Sequence, residues 1–281
     1  RYNISVNNKL RPDYADVRFT DSAGMTEFPY WQEPDNKFWL RLPDVASGNT
    51  NIRMFYGNVS ATSSANIGNT FILGDDFLGT SLDAGWSQTI NTPATVTVNN
   101  GLVILDNNGT TGRPFISRPG LSTPCVVETQ AKLEYPYGIP RHRFCMPNNP
   151  YDIGVFDANQ VYWNGALAGA YVSNTAYVRL RQIYQSSRVD WQIFKTDGTS
   201  VYANNYTPTS SPTSVSYSSS DIGSAGARMT LDWVFARKFA ITEPTYSAMG
   251  SEVAFNTTAN LVAMVMSTSK VDLAWQDNSP V

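Results

Sequence analysis

Six glutamates (Glu27, Glu33, Glu128, Glu134, Glu243 and Glu252) and a single histidine, His142, bound the acid–base chemistry open to this chain. Glycoside hydrolysis needs two carboxyl groups about 5 Å apart for retention, and further apart for inversion. Glu128 and Glu134 fall in one strand-like run and, by period two, on one face. They are six positions apart, which is about 20 Å along a strand, and no Asp lies between them. His142 stands between Arg141 and Arg143, whose charges would depress its pKa, and no nucleophile is marked beside it. These residues therefore predict no catalytic set.

A second kind of chemistry is better supplied. Sugars are held by aromatic faces against their C–H surfaces, flanked by amides, carboxylates and guanidinium groups. Gln160-Val161-Tyr162-Trp163-Asn164-Gly165 is the richest such cluster. Tyr151, Asp152, Tyr177, Arg179, Arg181 and Tyr184 fall on what read as neighbouring strands. Tyr177, Arg179 and Arg181 alternate onto one face, with Val178 and Leu180 on the other, as a solvent-facing sheet requires. The candidate ligand residues are Trp163, Tyr162, Asn164, Tyr151, Tyr177, Arg179 and Arg181. For the tryptophans, a core role is the competing assignment.

The two cysteines, Cys125 and Cys145, flank a hairpin-like segment turning near Tyr135-Pro136-Tyr137-Gly138. Such a turn would set them opposite one another. A disulfide there would stabilise by about 3 kcal/mol in the chain-entropy view. Two buried free thiols are the alternative.

The elements that must position these groups are strands. Short runs with period-two alternation recur along the chain, bounded by Asn-Gly, Asp-Gly and Pro turns. They include Asp16 to Asp21, Phe28 to Glu33, Lys37 to Pro43 and Thr50 to Asn58 early, then Leu102 to Leu105, Cys125 to Leu133, Ala176 to Tyr184, Arg188 to Lys195 and Met229 to Phe239. No helix of ten residues is convincing, so the prediction is all-β. Charged residues make up only 15% and the net charge is −3, so no basic field would attract nucleic acid. No apolar run approaches the roughly 20 residues of a membrane-spanning helix. Neutral polar surfaces of this kind suit exported proteins, and the ends read as cuts from a longer exported chain.

Three resemblances add to this. Gly74-Asp75-Asp76-Phe77-Leu78-Gly79 through Leu82 and Trp86 resembles the opening strand of concanavalin A-like lectin/glucanase (LamG-like) domains. Leu231-Asp232-Trp233-Val234 through Arg237-Lys238-Phe239 resembles their closing strand. The resemblance implies an antiparallel β-sandwich, a concanavalin A-like jelly roll, over residues 71–247. It also implies a Ca²⁺ tying the two bracketing strands together, with Asp75, Asp76 and Asp232 as its candidate ligands. Asp16-Val17-Arg18-Phe19-Thr20-Asp21, Phe28-Pro29-Tyr30-Trp31-Gln32-Glu33, Trp39-Leu40-Arg41-Leu42-Pro43 and Met54-Phe55-Tyr56-Gly57-Asn58 resemble a prokaryotic surface-protein domain of unknown function. That implies a smaller N-terminal β domain over residues 1–60, followed by a Ser/Thr/Asn linker over 61–70. Residues 248–281 read as a connector and the start of a further β module. Val271-Asp272-Leu273-Ala274-Trp275 there resembles a fibronectin type III strand.

The expected function is a non-catalytic, extracellular glycan-binding or adhesion module. Its partners would be a polysaccharide or surface glycan and neighbouring modules of the same protein. The alternative is a structural subunit of a stalk, sheath or filament, acting through protein–protein contacts that include copies of itself.

Overall fold

The computed structural model describes residues 9–34, 37–43, 50–108, 112–134, 141–144, 153–156, 160–163, 166–171, 176–208, 211–219, 227–244, 250, 262–267 and 270–274; for 141–144, 153–156, 160–163, 166–171, 262–267 and 270–274 it describes the backbone alone. Four short strands come first: β1 (Arg18–Asp21), β2 (Tyr30–Glu33), β3 (Lys37–Leu40) and β4 (Ile52–Phe55). A helical turn, α1 (Ile67–Thr70), precedes β5 (Leu73–Asp75), β6 (Ser87–Ile90), β7 (Thr95–Asn99), β8 (Leu102–Asp106), β9 (Pro114–Pro119) and β10 (Cys125–Glu134). Then come β11 (Arg141–Phe144), β12 (Ile153–Phe156), β13 (Gln160–Trp163), β14 (Ala166–Tyr171), β15 (Tyr177–Tyr184), β16 (Val189–Lys195) and β17 (Ser200–Tyr206). The last are β18 (Ser214–Ser218), β19 (Arg228–Lys238), β20 (Val262–Ser267) and β21 (Lys270–Ala274).

The protein is all-β, and its body is the expected antiparallel sandwich. One sheet runs β17-β16-β15-β10-β19-β8-β7, with β5 pairing onto β19 to make eight strands. The other runs β14-β13-β12-β11-β18-β9-β6. Alternation decides what lies between them. On β15 every second residue is buried, and Val178, Leu180 and Tyr184 meet Val127, Leu133, Trp191, Ile193, Met229 and Leu231 inside the sandwich. Ile116, Val215 and Tyr217 complete that core from the seven-stranded sheet. Each such side chain contributes about 1.5–3 kcal/mol on burial.

The hairpin expected after Cys125 does not form. Both edges of β10 are occupied, by β15 and β19, and β11 lies in the opposite sheet. Cys125 is paired in register with Tyr184 and Lys238 and is a buried free thiol, while Cys145 lies outside the described residues.

In the N-terminal unit β1 pairs β4 and β2 pairs β3. Val17, Phe19, Phe28 and Tyr30 form its core. The chain after β4 is fastened to this unit. Arg11 donates to the carbonyls of Val59 (2.9 Å) and Ala61 (2.7 Å), and Arg18 donates to Thr62 O (2.7 Å). Asn66 then caps α1 by accepting from Asn69 N (2.8 Å). Small residues leave those carbonyls accessible to the long arginine side chains. Ile67 and Phe71, at either end of the turn, are buried against the sandwich.

Candidate functional site

On the eight-stranded sheet, Val178 and Leu180 face inward as the alternation requires, so Tyr177, Arg179 and Arg181 face outward. That outward face is covered. The β2–β3 hairpin lies over it, and Glu33 forms an ion pair with Arg179, whose side chain is only 11% exposed. Glu33 is also held by Lys37 Nζ at 3.0 Å and by Trp39 Nε1 at 2.9 Å. Glu128, fully buried, receives Arg181 at 3.3 Å, Arg237 at 3.4 Å and Arg179 at 3.9 Å. The guanidinium groups lie over rings as well: Arg179 over Trp233, Arg181 over Phe194 and Arg237 over Trp39.

Aromatic packing seals this seam. Phe71 stacks on Phe235 at 4.0 Å, Trp233 stacks on Phe235 at 5.3 Å, and Trp31 meets Trp233 edge-on at 5.6 Å. Each ring buries roughly 150–250 Å², worth about 4–6 kcal/mol at ~25 cal/mol/Å² and rather less against a compact unfolded chain. Lifting the hairpin would expose several such rings together with two carboxylates. It is a fixed cover, and Arg179 is spent on it. Tyr177 stands at its margin, half-buried, where burial first, and then the charges of Asp232 and Glu134, raise its phenol pKa.

The aspartates of the bracketing motifs are each engaged separately. Asp75 accepts from Phe77 N and from Trp86 Nε1, both at 2.7 Å, and pairs with Arg118 at 3.2 Å. Burial raises its pKa, opposed by those hydrogen bonds. Asp76 accepts from Trp31 Nε1 at 3.2 Å, and burial raises its pKa too. Asp232 is the extra residue of a β-bulge: Gln130 faces Trp233 while Ala131 faces Leu231. It accepts from Gln130 Nε2 at 2.6 Å. Calcium takes six to eight oxygens. Among the described residues no three or more His, Cys, Asp or Glu converge on a possible ion. Asp75, Asp76 and Asp232 form no such group, and their placement does not fit a shared calcium site.

The remaining candidates divide between the two sheets. Tyr162 and Trp163 are on β13, whose neighbours are β12 and β14. They are therefore not on strands adjoining Tyr177, Arg179 and Arg181. Tyr151 and Asn164 lie outside the described residues.

Register orders the seven-stranded sheet closely. One row crosses its whole width: Thr89, Phe115, Ser218, Arg143, Gly154, Tyr162, Leu167. Ile116 and Tyr217, next to Phe115 and Ser218, point into the core. The row therefore lies on the sheet face opposite to Ile116 and Tyr217, and that face is covered at Ser218, which is 0% exposed. Arg141, Phe156, Gln160 and Tyr171 form the parallel row two residues along. Trp163 is in register with Ile153 and Ala166, at a position on the face opposite to Tyr162. The pleat thus places Tyr162 and Trp163 at positions on opposite faces of β13.

Residues 13–89 match the model of a family described as Domain of unknown function (DUF2341). No curated protein matches the chain. Among solved structures, a sialidase is similar over 55% of this chain and 17% of its own, at 11% identity and TM-score 0.43. A GH43 protein from Bacillus licheniformis is similar over 76% of this chain and 47% of its own, at 11% identity and TM-score 0.45. Lectin II from Ulex europaeus is similar over 59% of this chain and 97% of its own, at 9% identity and TM-score 0.44. The chain thus spans less than half the length of the sialidase and of the GH43 protein. At such identities the likeness concerns the fold alone. No helix among the described residues is long and apolar enough to cross a membrane.

Proposed function

We propose that this chain is a non-catalytic glycan-binding module of an exported surface protein, and that its ligand lies on the outward face of the seven-stranded sheet. The observation that carries this is the row Arg143–Gly154–Tyr162. Neighbouring strands are about 4.8 Å apart, so Arg143 and Tyr162 stand ~10 Å from one another. Between them Gly154 contributes no side chain. The register thus sets an aromatic residue and an arginine, residue types that bind sugars, two strands apart in one row. Gln160, in the next row, adds an amide. The eight-stranded sheet cannot offer an equivalent surface around Arg179, because the hairpin is seated on it. Neighbouring modules would present the face toward a polysaccharide.

A broad glycan array, probed with the chain and with its Tyr162→Ala variant, tests this. Saturable binding that the variant loses supports it, and a blank array with an intact fold overturns it.

The buried seam favours one second reading. It fixes the N-terminal unit rigidly to the sandwich, as a stalk or filament subunit would require. Filaments in electron micrographs of the purified chain, together with a blank array, would select that reading.

A further inference from the structure

We infer that the open edge of the sandwich between β6 and β7 is a second binding site, a groove that takes a single neutral sugar unit. None of its residues belongs to the row on the seven-stranded sheet, so either site can fail without the other.

The end of the core creates the groove. β6 and β7 are the last strands of their two sheets and meet at one edge of the sandwich. Register gives their inward positions. Gln88 is paired with Ile116, and Val96 and Val98 are paired with Leu105 and Val103, all three partners being core residues. Gln88 is nevertheless exposed, and Val96 is only half-buried. The two sheets therefore do not close on one another here, and they leave a groove of about 400 Å³. That is the small end of the ligand-pocket range, roughly 300–1,000 Å³.

The loop before β6 supplies the remaining wall. Leu82, Asp83 and Trp86 line the groove from that loop, with Gln88, Val96 and Thr97 from the strands. Trp86 is held firmly. Its Nε1 donates to Asp75 at 2.7 Å, the rings of Phe77 and Tyr217 lie beside it, and Arg118 stands over it. The wall is thus formed before any ligand arrives, which spares the cost of ordering it on binding.

The lining selects the ligand. Leu82, Trp86 and Val96 offer apolar surface to the C–H face of a sugar ring, while the Gln88 amide and the Thr97 hydroxyl offer donors and acceptors to its hydroxyl groups. The Asp83 carboxylate accepts from hydroxyls through charge-assisted bonds, about twice as strong as neutral ones. It is the one charged side chain in the lining, and its charge reaches Asp75 and Asp76 as well. An acidic sugar would meet that negative charge with no cation in the lining to answer it. The volume suits one ring or a chain end, not an extended polysaccharide.

Saturation-transfer NMR on the full chain tests this. The neutral probes are the methyl glycosides of glucose, galactose, mannose and N-acetylglucosamine, and the acidic probe is methyl glucuronide. Saturable transfer to at least one neutral probe is expected, and none to the glucuronide. Asp83→Ala should weaken that binding by about tenfold or more, the loss of a hydrogen bond to a charged group. Gln88→Ala should weaken it too. Both side chains are exposed, so thermal unfolding of the two variants should match the parent, and Tyr162→Ala should bind the probe as the parent does. Transfer that both groove variants retain, or a preference for the glucuronide, would overturn the inference. Binding lost in Tyr162→Ala and kept in the groove variants would overturn it while supporting the sheet-face proposal. No transfer to any probe would overturn it and leave the array test of that face untouched.

Discussion

The carboxylate of Glu33, on the N-terminal hairpin, is ion-paired with the guanidinium of Arg179, on a central strand of the sandwich. Glu33 is 1% exposed and Arg179 11%. This pair joins the two parts of the chain across a surface that either part alone would leave in water. It also closes the outward face of the eight-stranded sheet around Arg179.

Breaking the pair from one side should be costly. Glu33→Gln leaves Arg179 facing an amide, and removing one partner of a buried pair costs about 3–5 kcal/mol. The midpoint of urea unfolding should fall accordingly. Arg179→Met should cost less than that, since Glu33 keeps Lys37 and Trp39. The double variant should be more stable than the sum of the singles predicts, by about 0.5–3 kcal/mol. Strict additivity would mean that the aromatic cluster alone holds the seam.

Asp75 ties the first strand of the sandwich to Trp86 and to the turn at Phe77. Asp75→Ala would leave a buried indole N–H and a backbone N–H without their acceptor, at about 1–3 kcal/mol each. Thermal unfolding checks this. A variant as stable as the parent would show that water reaches both donors.

Alkali should weaken the fold. Burial raises the Cys125 thiol from 9.0 to about 11, and also raises Tyr184 and Tyr217. For such groups the folded chain holds its proton longer than the unfolded one. Their contribution is fully present below the unfolded pKa and is lost as pH rises through the folded one. For Cys125 that window runs from about pH 9 to 11. Stability measured by denaturant should slope downward there, less steeply in Cys125→Ala. The same burial should keep Cys125 unreactive toward iodoacetamide at pH 8 until the chain unfolds.

Trp163→Ala should behave as a core substitution. Its place in register with Ile153 and Ala166 predicts a loss of about 3–5 kcal/mol of stability. Glycan binding by the fraction that stays folded should persist. A stable variant that cannot bind would return Trp163 to the ligand face.

Much of this architecture could be read from local pattern. Period-two alternation found β15 and its inward Val178 and Leu180, and the paired motifs at Asp75 and Trp233 identified two strands that do pair, with Asp75 opposite Val234. What the pattern could not supply was long-range pairing. The outward face of β15 looked like any solvated surface, because the hairpin that covers it comes from residues 30–40. The bulge at Asp232 shifts one strand by a residue, and no local signal marks it. At Tyr162 and Trp163, only the register across β12 and β13 tells which positions share a face.

Titration calorimetry on the full chain tests the central claim most directly. The titrant would be an oligosaccharide that binds in the array, and the samples would be the parent chain, Tyr162→Ala and Tyr177→Ala. Tyr162→Ala should lose about tenfold or more in affinity, as expected for a stacking aromatic worth about 1.4 kcal/mol or more, while Tyr177→Ala binds as the parent does. Binding that survives in Tyr162→Ala and disappears in Tyr177→Ala would place the ligand on the other sheet, beside the hairpin, and would contradict the account.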